Sequence, residues 1–261
     1  MRLSNELAMV TGASSGIGEE FARRLAAEQV NLVLTARRRD RLEALASELT
    51  AKHQIRVSVL EGDLSTAEGP DRLVARLAAE GLEPSILINN AGFGLYGLFL
   101  EQAAAEIDAM IQVDVRALTV LSQQLGAAMA RRRSGAILNV ASFAALAPIP
   151  RYAVYSGAKA YVVAFSQALR QELMPQGVTV SVLCPGFTST EFFEVSRHEK
   201  TGLMRATELT VAQVTKAGIA GLKRGTFLIV PGWWYKVNTL TAAMAPRAVM
   251  SAISGLLVKE P

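Results

Sequence analysis

Short apolar runs alternate along the chain with longer stretches whose apolar residues recur every three or four positions. The first run, Leu7-Ala8-Met9-Val10, leads through a glycine-rich loop into a helical pattern from Ile17 to Glu28. Val30–Thr35 reads as the next strand, and Leu42, Leu45 and Leu49 then mark one face of a helix over 39–50. Further strands are predicted at Ile55–Leu60, Ile86–Asn89, Ala136–Val140, Val178–Leu183 and Phe227–Val230. These runs are near-continuously apolar rather than alternating, the pattern of strands covered by helices on both faces. Seven strands with six helical crossovers predict an α/β fold, a doubly wound parallel sheet in a single domain spanning 1–261. No repeat, low-complexity tract or linker divides it.

Sheets of this kind bind ligands beyond the carboxyl ends of their strands. The loops to search begin at Thr11, Arg37, Asp63, Asn89, Ala141 and Cys184, and every motif below falls on one of them. Thr11-Gly12-Ala13-Ser14-Ser15-Gly16-Ile17-Gly18 joins the first strand to the first helix. Glycine at 12 permits a tight turn, Gly16 and Gly18 permit close approach, and the helix amino terminus offers free N–H groups to a pyrophosphate. The spacing is G-x-x-x-G-x-G rather than the commoner G-x-G-x-x-G of dinucleotide sites.

The second strand ends in Thr35-Ala36-Arg37-Arg38-Arg39, without the acid that would accept from the ribose hydroxyls of NAD. An arginine fork suits a 2′-phosphate, so Arg37 favours NADP(H) over NAD(H), while Arg39 and Arg41 read as a solvated helix start. Asp63 can accept from an adenine amino group or serve as a plain turn carboxylate.

Ser142 follows the fifth strand, and Tyr155-Ser156-Gly157-Ala158-Lys159 opens a long helix. Tyrosine and lysine four apart share a helix face. A phenol of pKa near 10 is a poor base at neutral pH, and a neighbouring ammonium favours its phenolate. In this order, these motifs resemble the short-chain dehydrogenase/reductase family, of the standard single-domain length and Rossmann fold. The resemblance runs from about residue 5 to residue 232. It is carried by Thr11-Gly12-x-x-x-Gly16-x-Gly18, Asp63, Asn89-Asn90-Ala91-Gly92, Ser142, Tyr155-x-x-x-Lys159 and Pro185-Gly186.

The resemblance implies NAD(P)-dependent interconversion of a carbonyl and an alcohol; with Arg37 favouring NADP(H), an NADP(H)-dependent oxidoreductase of an apolar small molecule is expected. Tyr155 would exchange the proton, Lys159 would lower its pKa and hold the nicotinamide ribose, and Ser142 would bind the substrate oxygen. Gly12, Ser14, Ser15, Gly16, Ile17, Gly18, Arg37, Asp63 and Leu64 would hold the adenosine and phosphate half. Asn90, Ala91, Gly92, Pro185, Gly186 and Thr190 would line the rest of the groove. One position departs from the pattern: Asp114 stands where the family commonly has an asparagine serving a proton-relay water. An ionised carboxylate there offers no donor and partly cancels the field of Lys159 at Tyr155. The alternatives are an NADP-binding regulator with weak catalysis, and an isomerase or epimerase on the same scaffold.

A lid is expected over 187–205, where Phe192, Phe193, Leu203 and Met204 suit either an apolar substrate or simple packing. Phe93, Leu95, Tyr96, Phe143 and Leu146 are further pocket candidates. Leu118, Leu121, Leu125, Val162, Val163 and Phe165 suggest a homodimer or homotetramer paired through two helices. The tail over 232–261, with Trp233, Trp234 and Tyr235, reads as a packing or subunit-contact helix in preference to a peripheral membrane contact.

Composition narrows the classes. A 51% hydrophobic, 19% charged chain is not disordered. One cysteine (Cys184) and two histidines, His53 and His198, exclude a disulfide framework and a cysteine/histidine zinc site. Both histidines fall in predicted surface stretches. The pI of 9.4 would suit nucleic acid, but the net charge is only +4 and acids are interleaved throughout, so no nucleic-acid partner is expected. No leader or membrane span is read at the amino terminus, and a cytoplasmic location is the expectation.

Overall fold

The computed structural model describes residues 3–196, 198 and 200–244. The apolar stretch from Ala248 to Val258 therefore lies outside the described residues, as does the side chain of Leu203. The elements run β1 (Leu7–Thr11), α1 (Gly16–Ala27), β2 (Asn31–Thr35), α2 (Arg39–His53), β3 (Val57–Val59), α3 (Gly69–Ala79) and β4 (Ile86–Asn89). They continue with α4 (Ala104–Ile111), α5 (Leu118–Arg132), β5 (Gly135–Val140), α6 (Ala153–Leu173) and β6 (Val178–Leu183). The last are α7 (Phe192–Ser196), α8 (Gly202–Ala206), α9 (Val211–Arg224), β7 (Leu228–Ile229) and α10 (Trp233–Met244).

All seven strands pair in parallel, in the order β3-β2-β1-β4-β5-β6-β7. This is the predicted doubly wound sheet, each strand within about two residues of its expected limits. The order reverses between β1 and β4, which leaves a crevice at their carboxyl ends. Alternate residues of one strand serve opposite layers, because side chains along a strand alternate between faces. Val10 packs with Phe21, Leu25 and Leu42 of α1 and α2, and with Val214 and Leu222 of α9. Met9 packs instead with Leu73 and Leu77 of α3 and with Leu121 and Leu125 of α5.

Leu118, Leu121, Leu125 and Val162, read from the sequence as a subunit contact, are buried in this intramolecular packing. Val163 and Phe165 are half-buried against the same core. The apolar stripe that a helix lays on a sheet has the same period as one that meets another subunit.

Polar residues inside the strands fix the sheet edge against the helices. Asn89 Nδ2 donates to Asn139 Oδ1 at 2.9 Å and to Ser122 Oγ at 3.0 Å. Asn139 Nδ2 donates in turn to Ser166 Oγ at 2.9 Å, and Ser166 Oγ to the Val162 carbonyl at 2.6 Å. The relay ties the ends of β4 and β5 to α5 and α6, and all four side chains are buried. Asn139→Ala removes the shared member and strands two buried partners, at about 2 kcal/mol of stability. Urea unfolding measures this, and a change below about 0.5 kcal/mol would show that the relay contributes little.

Candidate active site

The crevice opens into one cavity of about 830 Å³. At its base, β1 ends in Thr11, whose hydroxyl accepts from the Asn90 and Ala91 N–H groups at 2.9 Å each. Asn90 Nδ2 donates back to the Thr11 carbonyl at 3.0 Å. These bonds hold the glycine loop against the Asn-Asn-Ala-Gly turn after β4. Gly12, at φ +66°, has no room for a side chain, since a Cβ would lie 2.9 Å from Ala91 Cα. Gly18 is closed in the same way by the Gly12 carbonyl and Asn90.

The loop, the arginines after β2, the turn after β4 and the segment after β6 thus form a continuous groove. Its length, the glycine cradle and the basic end fit a dinucleotide such as NAD(P)(H), with the phosphates toward the amino terminus of α1. Arg37, Asp63 and Leu64 lie at one end; Ser142, Tyr155, Lys159, Pro185 and Gly186 lie at the other. Of the predicted catalytic and cofactor-binding residues, Gly18 and Asp114 lie off the wall, and the others line the cavity. Asp63 also caps its own turn: its Oδ1 accepts from the Ser65 N–H at 2.9 Å and from Ser65 Oγ at 2.7 Å. These bonds from Ser65, with the nearby charges of Arg37 and Arg72, hold its carboxyl below the usual range against the opposing effect of burial. Thr190 Oγ1 accepts from the Phe192 N–H at 3.3 Å, which folds the chain back over the groove.

At the reacting end, α6 carries Tyr155 and Lys159 on one face, with Lys159 Nζ 5.7 Å from the centre of the Tyr155 ring. Lys159 is buried and donates to the Val140 carbonyl at 3.2 Å. Ser142 Oγ accepts from the Ala144 N–H at 3.1 Å and lines the cavity together with Tyr155. Burial raises the Tyr155 pKa above the usual phenol value, and the charge of Asp114 raises it further, against the lowering effect of Ser142.

Asp114 sits in a π-helical turn, Gln112–Ala117, between α4 and α5, a wide turn of the sort often found at functional sites. Its side chain is fully buried directly behind Gly92, where a Cβ would collide with the carboxylate. Oδ1 accepts from the Phe93 N–H at 3.2 Å and lies 3.7 Å from Lys159 Nζ. Desolvation pushes its pKa up to about 6, with the Lys159 charge pulling the other way.

The substrate side is walled by Phe93, Phe143, Tyr152, Phe187, Phe192, Phe193 and Trp234. Leu95 and Tyr96 line a separate hollow of about 170 Å³, and Leu146 packs into the core. In the tail, Tyr235 is buried and donates to the Thr207 carbonyl at 3.1 Å, Trp234 lines the cavity and Trp233 is exposed. Cys184 is buried, its thiol pushed up to about 12 by burial, as suits a packing residue.

Three features escaped the sequence. His198 is buried, 4% exposed, rather than on the surface: its Nδ1 hydrogen-bonds Tyr152 Oη at 3.0 Å and its ring stacks on Tyr96 at 3.8 Å. Arg38, rather than Arg37, spans the glycine loop, donating to Ser14 Oγ at 3.2 Å and Ser15 Oγ at 2.7 Å. Arg39 pairs with Glu43 at the start of α2, as a helix-start residue would. Arg41, expected to be merely solvated, reaches Glu191.

The family model of the short chain dehydrogenases matches residues 6–201. The chain belongs to the short-chain dehydrogenase/reductase family. It is 34% identical over 233 residues to a very-long-chain 3-oxoacyl-CoA reductase of Pyrenophora tritici-repentis, covering 87% of this chain and 67% of that protein. It is also 34% identical over 192 residues to the human 17-beta-hydroxysteroid dehydrogenase type 3, covering 73% of this chain and 61% of the relative. The chain thus spans about two thirds or less of the length of these curated relatives. A short-chain dehydrogenase from Sphingobium yanoikuyae, solved in complex with NADPH, superposes with a TM-score of 0.83 at 31% identity. That match covers 94% of this chain and 95% of the other. The protein is a short-chain dehydrogenase/reductase acting on carbonyl or alcohol groups, and NAD(P)(H) is the cofactor typical of such enzymes.

A titration follows from the buried carboxylate. Carbon-13 NMR should place the Asp114 carboxyl near pH 6, and Lys159→Met should move it higher, because the lysine charge lowers it. A midpoint near 4 would show that the carboxylate is solvated.

Proposed function

We propose that this enzyme is an NADP(H)-dependent reductase of a bulky, apolar ketone, with Tyr155 as the proton donor. The observation that carries the reading is one cavity joining a basic, acid-free cofactor end to a phenol, a serine and an aromatic wall. A bound nicotinamide supplies the hydride. Arg37, with Arg38 beside it, would hold the 2′-phosphate; Lys159 would face the nicotinamide ribose, and Thr190 the carboxamide.

On the protein side, Ser142 bonds the carbonyl oxygen and fixes it against Tyr155, as expected where positioning carries much of the rate. Tyr155 then gives its proton to that oxygen. Its raised pKa keeps the phenol protonated at neutral pH, the form that donates, while making it a weaker acid. Asp114 opposes the phenolate and so weakens Tyr155 further as an acid.

The aromatic wall supports a substrate with a long or polycyclic apolar body, in keeping with the acyl-CoA and steroid names of the relatives. An NADPH-oxidation screen tests this: long-chain 3-oxoacyl thioesters, steroid ketones and bulky aryl ketones should turn over, and acetone should not. A preference for small polar carbonyls would overturn the substrate class.

Tyr155→Phe keeps the ring and removes the donor; turnover should fall at least ~100-fold with NADPH binding kept. Turnover within a few-fold of the parent would remove Tyr155 from the role. Arg37→Asp should weaken NADPH binding by roughly 2 kcal/mol or more and NADH far less, through loss of a charge-assisted contact and added repulsion. Equal losses for the two cofactors in a binding titration would count against a 2′-phosphate at Arg37.

A further inference from the structure

The arginine that spans the glycine loop is already engaged by an acid. Arg38 Nη1 donates to Glu191 Oε2 at 2.9 Å, and Arg41 Nη1 donates to Glu191 Oε1 at 2.7 Å. Each carboxylate oxygen thus takes one guanidinium, the pattern a phosphate presents to a pair of arginines. The two sides come from distant parts of the chain. Arg38 and Arg41 follow β2, whereas Glu191 belongs to the segment after β6, between the cavity-lining Thr190 and Phe192. Arg38, Glu191, Ser14 and Ser15 all face the cavity, while Arg41 grips Glu191 from outside its wall. The two arginines hold the Glu191 carboxyl at about 2, so it is ionised throughout the neutral range.

We propose that Glu191 competes with the 2′-phosphate of the cofactor for Arg38, and so sets how strongly the enzyme discriminates NADPH from NADH. The inference rests on the reading that the arginines after β2 receive a 2′-phosphate. The chemistry of the contact supports displacement. The Arg38 and Glu191 side chains are each 39% exposed, so their attraction is screened by water and readily broken. A phosphate brings nearly two charges and three acceptor oxygens to the same guanidinium, against one charge and two oxygens from the carboxylate. A cofactor without the 2′-phosphate has nothing to gain from displacing Glu191 and binds with the ion pair intact. The lid acid therefore acts on only one of the two cofactors. It is a specificity-determining residue that lowers NADPH affinity below what the basic cluster alone would give.

Glu191→Gln keeps the shape and removes the charge, and Glu191→Ala removes the side chain. Both lie at an exposed ion pair, so the fold should persist, with melting temperature as the check. Dissociation constants for NADPH and NADH are read by fluorescence titration without substrate. Both variants should bind NADPH roughly 3- to 10-fold more tightly than the parent, with NADH unchanged within about twofold. High salt should shrink the NADPH difference. If the parent prefers NADPH but the variants bind it no better, Glu191 is not a competitor. Weaker NADPH binding in the variants would mean that Glu191 instead positions Arg38 for the phosphate, which also overturns the proposal. Variants that bind the two cofactors equally would overturn the 2′-phosphate reading itself, and the competition with it.

Discussion

Parallel pairing is the constraint from which the rest of this molecule follows. A strand that must run beside its predecessor in the same direction needs a crossover to return to the starting edge. All seven strands here obey it, so every strand-to-helix loop leaves from one edge of the sheet. The glycine loop, the arginines, the Asn-Asn-Ala-Gly turn, Ser142 and Pro185-Gly186 are scattered over 175 residues of sequence. The sheet brings them to one crevice. Where two loops must touch, the chain spends side-chain volume: Gly12 and Gly92 are bare because Ala91 and Asp114 stand where their Cβ atoms would be.

The same edge explains how a buried carboxylate is tolerated beside a buried lysine. An isolated ion of either sign would be expensive to desolvate, and a pair recovers that energy only with good hydrogen bonding. Asp114 has the Phe93 N–H and the facing ammonium, and Lys159 has the Val140 carbonyl. The π turn is the backbone feature that carries Asp114 at this point of the α4–α5 passage. Its price is a carboxylate that holds a proton up to about pH 6, and a neighbouring phenol that gives up its proton less readily.

What was legible in the sequence is what depends on local order. Strand limits follow from apolar runs, the glycine loop from spacing along one turn, and Tyr155 with Lys159 from helical period. Pairings between distant segments were not legible. Nothing in Arg-Arg-Arg at 37–39 says which member will turn toward Ser14 and Ser15, because the answer depends on where α2 starts and where the β6 segment returns. His198 looked like a surface residue because its sequence neighbours are polar. It is buried because Tyr152, just before α6, offers a hydroxyl at the right distance and Tyr96 offers a flat face. Asn89, Asn139, Ser122 and Ser166 read individually as interruptions of apolar segments; only their adjacency across β4, β5, α5 and α6 makes them a hydrogen-bonded relay.

The pairings of Tyr152 with His198 and of Arg38 with Glu191 share a direction: each ties the segment after β6 to another part of the crevice. Tyr152 with His198 and Ser196 fastens that segment above Tyr155, and Glu191 fastens it beside the glycine loop. The first contact is buried and aromatic, so separating it exposes apolar surface; the second is half-exposed and ionic, so it yields to a competing anion. A segment held firmly at the substrate end and weakly at the phosphate end can respond to the cofactor while keeping the aromatic wall in place. That asymmetry is what a fixed apolar pocket beside an exchangeable cofactor requires, and it arises from which residues the segment places at 191 and at 198.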